Sequence, residues 1–193
     1  MTKWLSHRMV ERGIIKEEEQ ELYQFGIRNG MILLLNVVTA LVIGLLTEQL
    51  AVVAVFTLSF MVLRSYTGGY HSDSRIFCYL GSNLVLLVPV YTQAVFCKTS
   101  LARLLAVLLV SAGIIFLLSP MHSKNRKLDK EEQKHFGRKA RLIAALELAV
   151  LGILWHAGQI PYAYAVYTGI CITALFMLVG KAQLWIQSHT ENG

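Results

Sequence analysis

A histidine and a cysteine stand seven residues apart in the stretch Arg64-Ser-Tyr-Thr-Gly-Gly-Tyr-His71-Ser-Asp-Ser-Arg-Ile-Phe-Cys78, and nowhere else do these two residue types lie so close. A thiol beside an imidazole is the least equipment that nucleophilic acyl transfer needs: the imidazole takes the thiol proton and later protonates a leaving group. On one continuous helix the pair would lie about 10 Å apart along the axis, too far for a hydrogen bond. Gly68 and Gly69 relax that condition, because glycine adopts backbone conformations that let a segment fold back. The expected arrangement has His71 on a reversing loop and Cys78 in the first turn of the next helix. There the positive end of the helix dipole favours the thiolate.

The elements that must position this pair are apolar. Of the 193 residues, 55% are hydrophobic and only 16% charged, with a mean hydropathy of +0.52. Soluble domains carry roughly 25% charged residues, so the composition predicts an all-α, polytopic membrane protein. Six apolar stretches, at about 27–46, 50–66, 77–96, 101–118, 140–157 and 162–180, predict about six transmembrane helices. A crossing needs about 20 residues, with 17 as a lower limit, so 50–66 reads either as a short full crossing or as a re-entrant segment. Ahead of them, Trp4, Leu5, Met9, Ile14 and Ile15 alternate with Lys3, Arg8, Arg12 and Lys16. This predicts an N-terminal amphipathic helix lying on anionic lipid. Glu17, Glu18, Glu19 and Glu21 then mark the start of a helix that runs into the first span. No signal-peptide pattern follows the amino terminus. The chain is thus expected to be one integral membrane domain: an amphipathic lead at 1–26, helices over 27–180 with polar loops at 64–76 and 119–141, and a tail at 181–193.

Charge orients it. With a cytosolic amino terminus, only Lys98 and Arg103 of the eighteen basic residues fall outside, a strong positive-inside pattern. The amino and carboxyl termini and the His71–Cys78 loop are then cytosolic, where a thiol stays reduced. The net charge of +6 is read as a record of topology; no aromatic-interleaved basic platform suggests nucleic acid. Three cysteines without paired spacing predict no disulfide framework and no zinc site. His71 with Cys78 lacks two further ligands at metal spacing, so neither metal nor cofactor is expected.

The pattern Arg64-x4-Gly69-x-His71-x6-Cys78 resembles the accessory gene regulator B (AgrB) family, membrane-embedded cysteine endopeptidases that process the precursor of a peptide quorum-sensing signal. The likeness extends to the Glu-rich segment before Tyr23-Gln-Phe25-Gly26, to the Gly-Gly-Tyr-His core, to Pro120 followed by a Lys-rich loop, and to the order of spans. The resemblance implies that Cys78 is the nucleophile, that His71 is its general base and acid, and that Arg64, Gly68 and Gly69 support the site. It also implies an AgrD-like propeptide as substrate and a homodimer in the bacterial cell membrane. A docking role for Lys124, Arg126 and Lys127 towards an acidic precursor tail stands beside the plainer reading of 119–141 as a lipid-facing topology determinant.

Other residues carry two readings. Arg64 either anchors the end of its span or orients a carboxylate or oxyanion. Asp73 is read as a solvated loop aspartate and not as a triad member. Glu147, in an apolar stretch, is either functional or reaches the headgroups past Arg141. For Ser82 and Asn83 an interhelical hydrogen bond is the plainer expectation, and for Cys97 and Cys171 simple packing. Against the peptidase stands a non-catalytic transporter or scaffold in which the polar loop only lines a pathway. Such a protein would tolerate Cys78→Ala, which a thiol peptidase would not.

Overall fold

A computed structural model describes residues 2–68, 75–121 and 130–190. Every regular element among them is helical: α1 (Thr2–Glu11), a 3-10 turn (Glu17–Glu19), α2 (Gln20–Leu46), α3 (Leu50–Thr67), α4 (Arg75–Tyr91), α5 (Gln93–Lys98), α6 (Leu101–Leu118), α7 (Lys130–His156) and α8 (Ile160–Thr190). The protein is an all-α, polytopic membrane protein. Among the described residues, four helices are long and apolar enough to cross a bilayer: Glu17–Leu46, Leu50–Thr67, Leu101–Leu118 and Ile160–Ile186. The 50–66 stretch, marginal on sequence length, is among them. Of the remaining two expected stretches, 77–96 covers parts of α4 and α5 and 140–157 lies at the end of α7.

The stretch 77–96 differs from expectation. It is two helices, broken at Thr92, with the apolar part of α4 confined to Tyr79–Tyr91. Pro89 lies inside α4 and offers no N–H to the preceding turn. Thr92 turns its hydroxyl to the carbonyl of Val88 at 2.7 Å and to the Tyr164 hydroxyl on α8. Proline within a helix is a standard cause of such an interruption.

The chain divides into two compact units, Met1–Thr39 and Ala40–Gly193. In the first, Trp4 and Leu5 of α1 are exposed, with the Arg8 guanidinium 5.0 Å from the Trp4 ring centroid. That combination of apolar and basic exposure suits a helix lying in an interface. Glu19 then accepts the backbone N–H of Lys16 at 3.2 Å, satisfying one of the donors that a helix start leaves open.

In the second unit α8 is central. Most of its apolar window is buried, against about a tenth of that of α6. Leu63 from α3, Ile115 from α6, Ala144 from α7 and Ile170 and Met177 from α8 form one core cluster. Val53 and Phe56 from α3, Leu86 and Val90 from α4 and Ala165 from α8 form a second. In lipid the helices gain little from hydrophobicity against each other and associate through close packing and hydrogen bonds. Both occur where α3 meets α8. A Cβ at Gly169 would stand 2.5 Å from the Ser59 hydroxyl oxygen, so only glycine admits that approach. Ser59 in turn donates to Glu147 on α7 at 2.8 Å, which ties α3, α7 and α8 together at one level.

Candidate active site at the end of α3

The last turn of a helix leaves carbonyls without partners, and at the end of α3 several of them are engaged. The Gly68 N–H returns to the Arg64 carbonyl at 3.3 Å. The carbonyl of Gly68 accepts from Nη1 of the same Arg64. Gly68 has φ +70° and ψ −155°, a conformation open essentially to glycine alone. A Cβ there would also lie 2.6 Å from the carbonyl oxygen of Met121. One residue earlier, the Thr67 carbonyl accepts the Met121 N–H at 2.9 Å. The backbone leaving α3 is therefore pinned to the backbone leaving α6.

Aromatic and cationic side chains surround this junction. The Arg64 guanidinium lies 5.2 Å from the Phe176 ring centroid on α8. Phe176 is 5.9 Å from Phe60, which stacks on Phe56 at 5.8 Å. On the α7 side, Phe136 is 6.2 Å from Tyr66, and the Lys139 ammonium sits 5.8 Å from the Tyr66 centroid. Arg141 donates Nε–H to the Phe116 carbonyl at 3.2 Å, placing a cation on the open end of α6 where the helix dipole is negative.

Cys78 is the fourth residue of α4, in the turn whose backbone N–H groups have no intrahelical acceptor. Gly69 and His71 fall within 69–74 and Lys124, Arg126 and Lys127 within 122–129, outside the described residues. Of the expected supporting residues the structure places Arg64 and Gly68, and it brings them into one hydrogen bond. Among the described residues no group of three or more His, Cys, Asp or Glu is arranged to hold a metal ion.

Three contacts around the junction escape sequence reasoning: Thr67 with Met121, Arg64 with Phe176, and Tyr66 with Phe136 and Lys139. Each joins residues more than fifty positions apart, and no local pattern signals it. Two other expectations change. The Asn83 amide donates within its own helix, to the Tyr79 carbonyl at 2.9 Å, and not across to a neighbour. Glu147 reaches Ser59 inside the bundle, which is the interhelical partner that the sequence did not single out. Cys97 is exposed and Cys171 half-buried, both as free thiols.

The family model of AgrB, accessory gene regulator B, matches residues 1–178. The chain belongs to the AgrB family. It is 25% identical over 134 residues to AgrB-like protein 2 of Clostridium perfringens (strain 13 / Type A), covering 65% of this chain and 61% of that one. It is 22% identical over 151 residues to an AgrB-like protein of Clostridium perfringens (strain SM101 / Type A), covering 74% and 69%. Both relatives are named only by their likeness to AgrB. No solved structure matches the chain.

Proposed function

We propose that this AgrB-family chain is a membrane cysteine endopeptidase that processes a short AgrD-like signal precursor. His71 takes the proton of Cys78, and the thiolate attacks a peptide carbonyl near the carboxyl end of the precursor. The C–N bond breaks, the amine fragment leaves with the proton from His71, and the remaining acyl group stays on Cys78 as a thioester. Open backbone N–H groups in the first turn of α4 suit an oxyanion. A thiol or hydroxyl within the bound peptide then attacks the thioester carbonyl, closes a thiolactone or lactone, and returns the Cys78 thiol. Exchange of one thioester for another is nearly neutral in energy, so ring closure needs no nucleotide as long as water is excluded.

What carries this reading is the placement of Cys78 in the first turn of α4, seven residues after His71, in a chain matched by the AgrB model from 1 to 178. The distribution of basic residues supports a cytosolic site and cytosolic termini. Lys124, Arg126 and Lys127 are suited by charge to the acidic tail of such a precursor, and a homodimer is the assembly this reading adopts. Intact-mass spectrometry of the protein in lipid with its precursor tests the chemistry. A mass gain equal to the precursor less its carboxyl-terminal fragment, mapped to Cys78 and absent in Cys78→Ala, is expected. Cleavage that persists in Cys78→Ala would falsify the assignment.

A further inference from the structure

Among its contacts, the Arg64 guanidinium reaches forward to the Gly68 carbonyl and across to the face of Phe176 on α8. Phe176 also packs on Phe60, one helical turn before Arg64 on the same face of α3. Its ring is thus wedged between two successive residues of that face. We infer that Phe176 is a positioning residue for the Cys78 chemistry, acting through Arg64: its ring holds the guanidinium on the Gly68 carbonyl. This inference rests on the peptidase reading proposed above.

The physical case has three parts. Holding a flexible arginine on its own chain four residues on costs side-chain entropy, so a contact that restricts its rotamers favours the bond. A ring within about 6 Å of the guanidinium supplies that restriction and an attraction that strengthens away from water. The conformation so held is that of the residue that caps α3, three positions before His71 in the sequence. Met121 fixes the same point from the other side through the Thr67 carbonyl. Lysine cannot replace Arg64 here, because a point charge lacks the planar face that lies on the ring while an N–H remains directed at a carbonyl.

The test uses the full chain in lipid vesicles with two readouts. The first is the rate of acyl-enzyme formation on Cys78 as a function of precursor concentration. The second is backbone hydrogen exchange in peptides covering Gly68 and Met121. Phe176→Leu is expected to lower the maximal rate about five- to thirtyfold with KM little changed, the range set by loss of a cation–ring contact, and to speed exchange at both sites. Phe176→Tyr, which keeps the ring, is expected to retain both properties. Arg64→Lys should reproduce the Phe176→Leu exchange pattern, and the double variant should be no slower than Arg64→Lys alone, as for residues acting in series. The inference is overturned if Phe176→Leu leaves both readouts unchanged, or if the two losses multiply in the double variant. Should the wild-type protein form no adduct, the peptidase reading fails. The exchange data then decide the contact by themselves: unchanged exchange in Phe176→Leu and Arg64→Lys overturns it, and faster exchange in both sustains it. If Phe176→Leu loses helix content, Arg64→Lys carries the test: unchanged exchange at Gly68 and Met121 in that variant overturns the inference.

Discussion

Among the described glycines, Gly68 combines a positive φ with a backbone atom closer than a Cβ allows. Its φ of +70° and the nearby Met121 carbonyl act together, so alanine there meets both torsional strain and a clash. Gly68→Ala is expected to cost about 1–3 kcal/mol locally, read as faster hydrogen exchange at Met121 and as loss of precursor cleavage. Sequence reasoning named Gly68 as a turn residue because glycine frees the chain to reverse; the opposing carbonyl, 53 positions later, has no local signature. Ser59 shows the same limit. A serine in an apolar run is unremarkable until α7 brings Glu147 within 2.8 Å of it. Removing one partner leaves the other polar group inside the bundle unsatisfied, at a cost of about 1–3 kcal/mol. Ser59→Ala should therefore lower the thermal midpoint in detergent more than Glu147→Gln, whose amide oxygen still accepts the Ser59 hydroxyl. Equal midpoints would mean the bond contributes nothing.

Helices were legible from their apolar runs, while their ends were less so. The start of α2 at the glutamate run and the end of α6 before Pro120 follow directly from dipole and proline chemistry. The break at Thr92 does not: Pro89, Thr92 and Gln93 interrupt the apolar run, but the tie to Tyr164 that accompanies the break is tertiary. The turn between α2 and α3 contains a further oddity. Glu48 has φ 57°, and the Gln49 N–H reaches back to Gly44 at 2.9 Å, the reversal usually completed by glycine. The α7–α8 turn makes the same reversal with Gly158, φ +72°. Glu48→Gly is therefore expected to stabilise the protein by about 1 kcal/mol, seen as a raised thermal midpoint with unchanged helix content. A lowered midpoint would mean that the glutamate side chain stabilises the turn by more than its backbone strain costs.

At the scale of the whole molecule, the 16% of charged residues and their one-sided distribution predict orientation, a property that electrostatics imposes during insertion. Native Cys97, exposed at the end of α5, should react with a membrane-impermeant maleimide on intact cells. A cysteine at position 181, introduced in a Cys97→Ser background, should react only after permeabilisation; the reverse pattern would invert the topology and move the proposed site to the outer face. Class, the apolar helices other than the stretches 77–96 and 140–157 as spans, and the candidate nucleophile all came from the sequence alone, because hydropathy, dipole complementarity and side-chain reactivity are local properties. The junction around Gly68 was decided only by tertiary structure. Thr67 with Met121, Arg64 with Phe176, Arg141 with Phe116 and Ser59 with Glu147 each depend on which helix faces come together, and inside a bilayer that choice rests on close packing and hydrogen bonds between helices, which no single apolar run records.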